Sequence, residues 1–409
     1  MSLLSRRRPS ARSELLAQRE RTTGYRPAWR AVCEGVGLVH SVDVAAGTTV
    51  LVPKLVDVSS DPEPVLTVEL LPGQLAEDLA AQAHRIAPAL GAVCATVEPY
   101  GLRWARVRLS MADPLADAFH AQLAPVTGAA TRLILGRAED GETIAHALAE
   151  SAHLLVQGQN GSGKSRFTYG LLAQCAHAPD VLVTGSDITG LLLGGPWDGT
   201  RHRDHQAAGT ADLDAHAAAL EGLVAEMDRR LSTMPRGVDK LDPTAAVPLL
   251  LVVLEEFPGL LRAAGSLPKP GKGERPVLDR IKSATLRLLS EGRKVAVRVL
   301  MLAQRAEAEA TGGGYAREQF ALVVSFRVPA DSLVMGHGDD ARELGAAHRT
   351  AAPGIAVVSA PGRPLCRMRA PWFGEYVEYV DAVGPAAELD RPPLHLVDDD
   401  HQGDAGTAA

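Results

Sequence analysis

The chain has 409 residues and a formal net charge of −7 at pH 7, and 46% of its residues are hydrophobic while 4% are aromatic. A chain of this length holds two or three domains with a sizeable core, and this composition is typical of a soluble α/β protein. The negative net charge excludes a uniformly basic nucleic-acid-binding protein, so any polyanion has to bind to a local patch.

The first residues of the chain are strongly basic. Residues 1–30 contain eight arginines and two glutamates. Such a run indicates a solvated, disordered arm, or alternatively a segment that contacts DNA phosphates or an anionic membrane surface. Both interpretations remain open from the sequence.

Residues 31–135 have the pattern of a small α/β domain. Two β-rich runs, Thr49–Pro53 and Val65–Leu71, precede a Pro-Gly turn and an amphipathic helix that is predicted over Leu75–Leu90. Short strands are predicted after this helix as well. No catalytic constellation occurs in the segment.

A glycine-rich turn follows the apolar strand predicted over His153–Val156, and a helix begins near Lys164. From Gly158 the sequence reads G-x-x-x-x-G-K-S, the phosphate-binding loop of nucleoside triphosphatases. Its glycines let successive N–H groups converge on phosphates, Lys164 reaches the β- and γ-phosphates, and the Ser165 hydroxyl ligates Mg²⁺. We therefore predict binding of a nucleoside triphosphate with Mg²⁺. The predicted binding residues are Gly158, Gln159, Asn160, Gly161, Ser162, Gly163, Lys164 and Ser165.

Two adjacent carboxylates end the long apolar run Pro248–Phe257. An uninterrupted apolar run indicates a central parallel strand buried on both faces, whose carboxyl end lies at the ligand edge of the sheet. Glu255 is predicted to support the Mg²⁺ ion and Glu256 to activate the attacking water. Gln304, at the end of a strand predicted over Val295–Ala303, is predicted to sense the γ-phosphate.

Two loops carry cations that are candidates for nucleic-acid contact. Lys269, Lys272 and Arg275 are spaced along a Gly/Pro-rich loop. We predict that they hold the phosphate backbone of duplex DNA without reading bases, and a solvated connection is the alternative. The second loop, Thr311–Arg317, ends in Arg317, for which the same contact is predicted.

The predicted organisation has four segments: a basic disordered arm over residues 1–30, a small α/β domain over 31–135, a nucleotide-binding motor over 136–383, and an acidic disordered tail over 384–409. The N-terminus lacks the apolar core of a signal peptide, and no run approaches the roughly 20 apolar residues that span a bilayer. The four cysteines are scattered, which excludes a disulfide framework and fits a reducing cytoplasm.

Five segments with distinctive residues occur in order along the chain: His153–Ser165, Glu226–Arg230, Val253–Phe257, Leu302–Arg305 and Phe326–Val328. Together they resemble the FtsK/SpoIIIE family of hexameric DNA translocases, and in particular its actinobacterial, Streptomyces-type members that transfer plasmids. The resemblance spans roughly residues 65–375, and five ordered motifs are far more specific than any single one.

The resemblance implies a RecA-like motor preceded by a small α/β domain, assembled as a hexameric ring around double-stranded DNA with ATP between subunits. It also implies that an arginine of a neighbouring subunit completes each site, and Arg230 or Arg229 is our candidate. In three respects the chain departs from the family. Glu255 replaces an aspartate, Asp187-Ile-Thr replaces Asp-Pro-Lys, and transmembrane helices and a winged-helix module are missing. Membrane anchoring and sequence-directed loading, if they occur, therefore need a separate partner or a different segment.

These features predict an ATP-dependent double-stranded DNA translocase for conjugative plasmid or integrative-element transfer, located in the cytoplasm or peripherally at the inner face of the cell membrane. Two alternatives remain open. One is a protein-translocating secretion ATPase of the same superfamily. The other is an assembly factor that binds ATP without hydrolysing it, which the Glu-Glu pair allows. DNA-stimulated phosphate release distinguishes the translocase from the assembly factor.

Overall fold

The computed structural model describes residues 11–44, 47–60, 63–120, 122–124, 128–150, 153–305, 314–385 and 395–397. The chain forms two compact units. The first comprises residues 1–117 with 139–141, and the second comprises residues 118–138 with 142–409. This division lies at residue 117, whereas the predicted boundary of the small domain was residue 135.

Within its described residues, the first unit contains three helices and six strands. The helices are α1 (Ala11–Gly35), α2 (Ala76–Ala81) and α3 (Ala83–Ala89). The strands are β1 (His40–Val44), β2 (Gly47–Leu51), β3 (Lys54–Ser60), β4 (Pro64–Glu69), β5 (Cys94–Pro99) and β6 (Trp104–Ser110). β1 and β2 form a hairpin, and the other four strands form an antiparallel sheet in the order β3-β4-β6-β5. Burial alternates along β4, as expected for a strand with one buried face, because Leu66 and Val68 are buried while their neighbours are partly exposed.

Helix α1 replaces most of the disordered arm that the sequence analysis expected. Trp29 is buried, and its Nε1–H donates to the carbonyl oxygen of Pro53 at 2.7 Å. The hydroxyl oxygen of Thr22 accepts the N–H of Val58 at 3.1 Å. These contacts order the helix despite its arginines, so the prediction of disorder is wrong from Ala11 onward, while residues 1–10 lie outside the described residues.

The helix predicted over Leu75–Leu90 is interrupted. Gln82 has φ −100° and ψ 1°, and its N–H bonds the carbonyl oxygen of Leu79, so α2 ends and α3 starts at this residue.

The second unit is built around a sheet of ten strands. They are β8 (Arg132–Ala138), β9 (Thr143–Ala147), β10 (Leu154–Gln157), β11 (Val181–Asp187), β12 (Gln206–Ala208), β13 (Leu249–Glu255), β14 (Val297–Ala303), β15 (Leu322–Ser325), β16 (Ile355–Ala360) and β17 (Arg363–Arg369). Their order is β12-β11-β13-β14-β10-β15-β16-β17-β8-β9. The first six in this order are parallel, and the remaining pairings are antiparallel.

Eight α-helices of this unit fall within the described residues. They are α4 (Lys164–Cys175), α5 (Leu213–Ser232), α6 (Phe257–Gly265), α7 (Val277–Glu291), α8 (Gly314–Glu318), α9 (Ala330–His337), α10 (Gly345–His348) and α11 (Tyr376–Val383). Short 3₁₀ turns occur at 195–197, 203–205, 292–295 and 339–342. Among the residues whose structure is described, no helix combines the length and the apolar character needed to cross a bilayer.

Both faces of the parallel sheet are covered. Leu154 and Val156 of β10 belong to a core cluster that includes α4 and α11, whereas Leu155 between them belongs to a cluster with α5, α6 and α7. β13 is buried along Leu249–Leu254, because helices cover this part of the sheet on both faces. The continuous apolar runs therefore predicted central strands correctly, and they place the ends of β10, β13 and β14 at one edge of the sheet.

His153 fixes the start of β10 from inside the core. Its Nδ1 accepts the N–H of Val299 at 3.0 Å, so Nε2 carries the proton and donates to the carbonyl oxygen of Leu289 at 2.8 Å. Burial lowers the pKa of His153 to about 4. The neutral imidazole is thus part of the native packing.

Part of the predicted acidic tail is ordered. β18 (His395–Val397) pairs antiparallel with β7 (Gln122–Ala124), so the expectation of disorder fails for these three residues. Residues 386–394 and 398–409 lie outside the described residues.

Candidate active site

The phosphate loop connects β10 to α4 and is anchored on both neighbouring strands. The N–H of Gly158 donates to the carbonyl oxygen of Ala303 at the end of β14, at 3.2 Å. The N–H of Gln159 donates to the carbonyl oxygen of Arg327, two residues beyond β15, at 3.0 Å. Because β10 lies between β14 and β15, these bonds fix the loop at the carboxyl edge of the parallel strands.

Glycine is required at two places in this loop. Gly161 and Gly163 have φ of +71° and +108°, which other residues adopt only with strain. A Cβ on Gly163 would also lie 2.7 Å from the backbone nitrogen of Gly354. The loop therefore needs these glycines both for its curvature and for a close contact with another segment.

The N-terminus of α4 is prepared for an anion. Within the described part of the chain, the N–H groups of Gly161 and Gly163 donate to no protein group. The first turn of α4 contains no acidic residue, and the Nζ of Lys164 lies 3.5 Å from the carbonyl oxygen of Ala303. Unused N–H donors, a helix N-terminus and a lysine in one loop form a site for phosphate.

Glu255 ends β13 directly opposite Asp187 at the end of β11. Burial, and after it the negative charge of Asp187, raises the pKa of Glu255 to about 8, while Lys164 opposes these effects. Asp187 is fully buried and accepts the N–H groups of Leu192 and Leu193 at 2.7 and 2.9 Å. Asp187 therefore holds the loop after β11 in place and leaves Glu255 as the carboxylate available at this edge.

The residues at this edge fit a Mg²⁺ ion. Lys164, Ser165 and Glu255 line a small cavity of about 120 Å³ together with Thr189. The Oε2 atom of Glu255 is buried and has no hydrogen-bond partner. A buried carboxylate oxygen with unused lone pairs beside a hydroxyl is a ligand set that hard divalent cations prefer. A cation bound here would also favour the ionised carboxylate.

Glu256 has an unusual backbone conformation. Its φ of +41° lies in the left-handed region, where an L-amino acid is strained. Its Oε1 is 3.4 Å from the Nε2 of Gln304, which follows β14. The structure thus brings Glu256 and Gln304 together beyond the ends of adjacent strands, at the edge that carries the phosphate loop.

Arg230 does not fit the predicted role in a neighbouring subunit. Only 3% of its surface is exposed, and its NH1 donates to the carbonyl oxygens of Pro248 and Val295 at 2.9 and 3.1 Å. Its Nε donates to Glu226 at 2.7 Å. These bonds hold Arg230 inside its own subunit, beside the starts of β13 and β14, so the prediction for this residue is wrong. Arg229 is exposed and paired with Glu226.

The cations predicted to contact DNA lie on the surface. We call the segment Ser266–Pro276, between α6 and α7, the basic loop. Lys269, Lys272 and Arg275 are exposed on it, and none is ion-paired within the described residues. Arg317 is half-buried on α8, while residues 311–313 of the second predicted loop lie outside the described residues.

Asp187 ends an apolar strand, which predicts a position on the nucleotide side of the sheet, and its carboxylate lies there opposite Glu255. Sequence reasoning missed the wall around Trp372, which lines a cavity with the phosphate loop, because its parts come from distant segments.

The parallel sheet covered by helices on both faces, with the phosphate loop and the paired glutamates at its carboxyl edge, defines a P-loop motor domain with a RecA-like α/β fold. The model of the FtsK/SpoIIIE family matches residues 120–328, which are 209 of the 409 residues. The chain belongs to the FtsK/SpoIIIE family, as the five motifs predicted.

A curated relative and two solved structures resemble the chain. It is 27% identical over 220 residues to protein Tra of Streptomyces lividans, and the match covers 50% of this chain and 33% of Tra. The chain thus spans about a third of that relative. The TcpA monomer, the pCW3 conjugation coupling protein solved with ATPγS, matches with a TM-score of 0.50 and 16% identity, covering 88% of this chain and 99% of TcpA.

ATPase domains 2 and 3 of EssC from Geobacillus thermodenitrificans match with the same TM-score of 0.50 and 16% identity, over 65% of this chain and 50% of EssC. At these identities both likenesses concern the fold. They confirm the predicted α/β P-loop motor.

Proposed function

We propose that this chain hydrolyses ATP and uses the energy to move double-stranded DNA during conjugative plasmid or integrative-element transfer. The observation that carries hydrolysis is the strained Glu256, held beside Gln304 at the edge of the phosphate loop. Membership of the FtsK/SpoIIIE family and the match to Tra support DNA as the moved substrate.

The chemistry follows from the residues at the carboxyl edge. The N–H groups of the loop and Lys164 bind the β- and γ-phosphates. Ser165 and Glu255 would hold a Mg²⁺ ion, which would neutralise charge on the phosphates. Glu256 accepts a proton from the attacking water, and Gln304 orients that water and responds to the γ-phosphate.

Contact with DNA is assigned to the basic loop and to Arg317. The three cations of the basic loop are exposed and have no carboxylate partner among the described residues, which suits phosphate contacts that do not depend on sequence. The proposed assembly is a ring of subunits, a hexamer by analogy with the family, around the duplex. A separate membrane partner and peripheral location at the inner face of the membrane belong to the same proposal.

The test is the ATPase rate with and without duplex DNA, measured for the wild type and Glu256→Gln over a salt series. We expect duplex DNA to stimulate the wild type, the stimulation to fall as salt rises, and the variant to bind ATP without hydrolysing it. The conservative change keeps the size of the side chain, so lost turnover reports on the carboxylate.

Two results would overturn the proposal. ATP binding without hydrolysis in the wild type indicates an assembly factor. Hydrolysis that DNA does not stimulate at any salt concentration indicates a motor for another polymer, such as a protein-translocating ATPase.

A further inference from the structure

The phosphate loop forms one part of the wall of a cavity of about 560 Å³. The rest of the wall comes from segments far away in the sequence, including Ala118, Pro353 and Pro371–Trp372. A volume of this size accommodates a small-molecule ligand, and a triphosphate in the loop occupies only one end of it. The other end is mainly apolar.

Backbone hydrogen bonds connect this second wall to the phosphate loop. The carbonyl oxygen of Ser162 accepts the N–H of Gly354 at 2.9 Å, and the carbonyl oxygen of Gly354 accepts the N–H of Ala370 at 2.8 Å. Two residues further on, the N–H of Trp372 donates to the carbonyl oxygen of Phe119 at 2.9 Å. The position of Trp372 relative to the loop is therefore set by the main chain.

Trp372 is 38% exposed, whereas Trp29 and Trp197 are buried. The ring of His120 packs against the Trp372 ring in an edge-to-face arrangement, with centroids 4.4 Å apart and an interplanar angle of 71°. The guanidinium of Arg166 lies 5.9 Å from the ring centroid. A large, partly exposed aromatic ring that lines a cavity is available for stacking.

Arg166 joins the two parts of the cavity. It follows Ser165 directly in α4, lines the cavity, and forms an ion pair with Glu375. Its NH1 nitrogen is buried and has no hydrogen-bond partner. An unused guanidinium donor beside an aromatic ring suits the acceptor atoms of a nucleoside.

We propose that Trp372 is the platform on which the base of the bound nucleotide stacks, and that Arg166 donates to the nucleoside beside it. The inference rests on the proposed nucleotide binding, because phosphates in the loop fix the other end of the ligand. Stacking depends on the area of the base, so purine nucleotides bind more tightly than pyrimidine nucleotides.

The test compares ATP and CTP with inorganic tripolyphosphate, which has the phosphates but no base, by calorimetric titration. Trp372→Ala is expected to weaken ATP binding by about tenfold or more, the effect of losing one base–aromatic stack. Tripolyphosphate should bind the variant as it binds the wild type. The preference of the wild type for ATP over CTP should shrink in the variant.

A second variant keeps the test informative if Trp372→Ala does not fold. Trp372→Phe retains an aromatic platform and removes the fluorophore nearest to the ligand. We expect ATP to quench the tryptophan emission of the wild type while tripolyphosphate does not, and we expect the quenching to disappear in Trp372→Phe.

Three results would contradict the platform. Unchanged ATP affinity in Trp372→Ala excludes stacking there. Equal weakening of ATP and tripolyphosphate, or equal quenching by both, shows that Trp372 supports the loop instead of the base. A wild type that binds neither ligand refutes the nucleotide site itself, which distinguishes that failure from failure of the platform alone.

Discussion

The strained backbone of Glu256 leads to a prediction that separates stability from catalysis. Glu256 has φ +41° and ψ 45°, and its carbonyl oxygen accepts the N–H groups of Gly259 and Leu260 at 2.7 and 3.2 Å where α6 starts. Glycine adopts this conformation without strain and keeps both bonds. We therefore compare Glu256→Gly with Glu256→Gln, since both remove the carboxylate and only the first relieves the backbone.

The magnitude follows from two opposing terms. The left-handed conformation costs an L-residue about 1–2 kcal/mol. The greater freedom of glycine in the unfolded chain costs about 0.5–1 kcal/mol. Glu256→Gly should therefore exceed Glu256→Gln in free energy of unfolding by about 0.5–1 kcal/mol, measured by urea denaturation, while neither variant hydrolyses ATP.

Ala296→Gly provides a control away from the site. Ala296 also lies in the left-handed region, with φ +58° and ψ 40°, but its methyl group is buried. The net gain from relieving the backbone strain is about as large as the cost of losing that methyl, which is about 0.8 kcal/mol. The free energy of unfolding of Ala296→Gly should therefore differ little from that of the wild type, and ATP hydrolysis should be retained. If Glu256→Gly is no more stable than Glu256→Gln, position 256 stores no strain and the argument fails.

Three further predictions concern other parts of the chain. A variant with alanine in place of all three cations of the basic loop should lose stimulation by DNA and keep its basal ATPase rate. The slope of log DNA affinity against log salt should fall by about 0.9 per lost phosphate contact. An unchanged slope would exclude this loop from DNA binding. The pKa of His153 is lowered from 6.5 to about 4 in the folded protein, so protonation favours the unfolded chain. The stability that depends on the neutral ring is present above pH 6.5 and is lost as the pH falls towards 4, by about 3 kcal/mol in total. Urea midpoints between pH 7.5 and 5 should fall less steeply in His153→Gln than in the wild type, and equal slopes would refute the assignment. Arg230→Ala should destabilise the protein by about 3 kcal/mol because it leaves buried acceptors unsatisfied, while Arg229→Ala changes stability by less than about 1 kcal/mol. If Arg230→Ala has normal stability but no ATPase activity, Arg230 acts in catalysis after all.

Features determined by local sequence were predictable. The apolar run before Glu255 became β13, and the glycine pattern from Gly158 became a loop followed by α4, because burial on both faces and backbone curvature depend on residues close together in the chain. The positions of Glu256 and Gln304 at one edge followed from the rule for parallel strands. The strained φ of Glu256 did not follow, since it results from how α6 starts against β13.

Features that depend on distant segments were not predictable. The wall around Trp372 needs the bridge to His120 and the backbone bonds that lead from Gly354 to the phosphate loop. The anchoring of α1 through Trp29 likewise requires strands that come later in the chain. For the arm, composition indicated a solvated segment, and tertiary contacts of α1 decided otherwise.

Arg230 shows how a motif and a periodic pattern should be weighed against each other. The Glu-Met-Asp-Arg-Arg segment identifies the position by similarity, and similarity alone cannot tell an exposed arginine from a buried one. The helical period does distinguish them. Arg230 follows Met227 by three residues and Leu223 by seven, so it lies on the face of α5 that both of these buried residues occupy. Arg229 is one position out of that period and is exposed. Of the two arginines, therefore, only Arg229 has its guanidinium at the surface, where a neighbouring subunit has access to it.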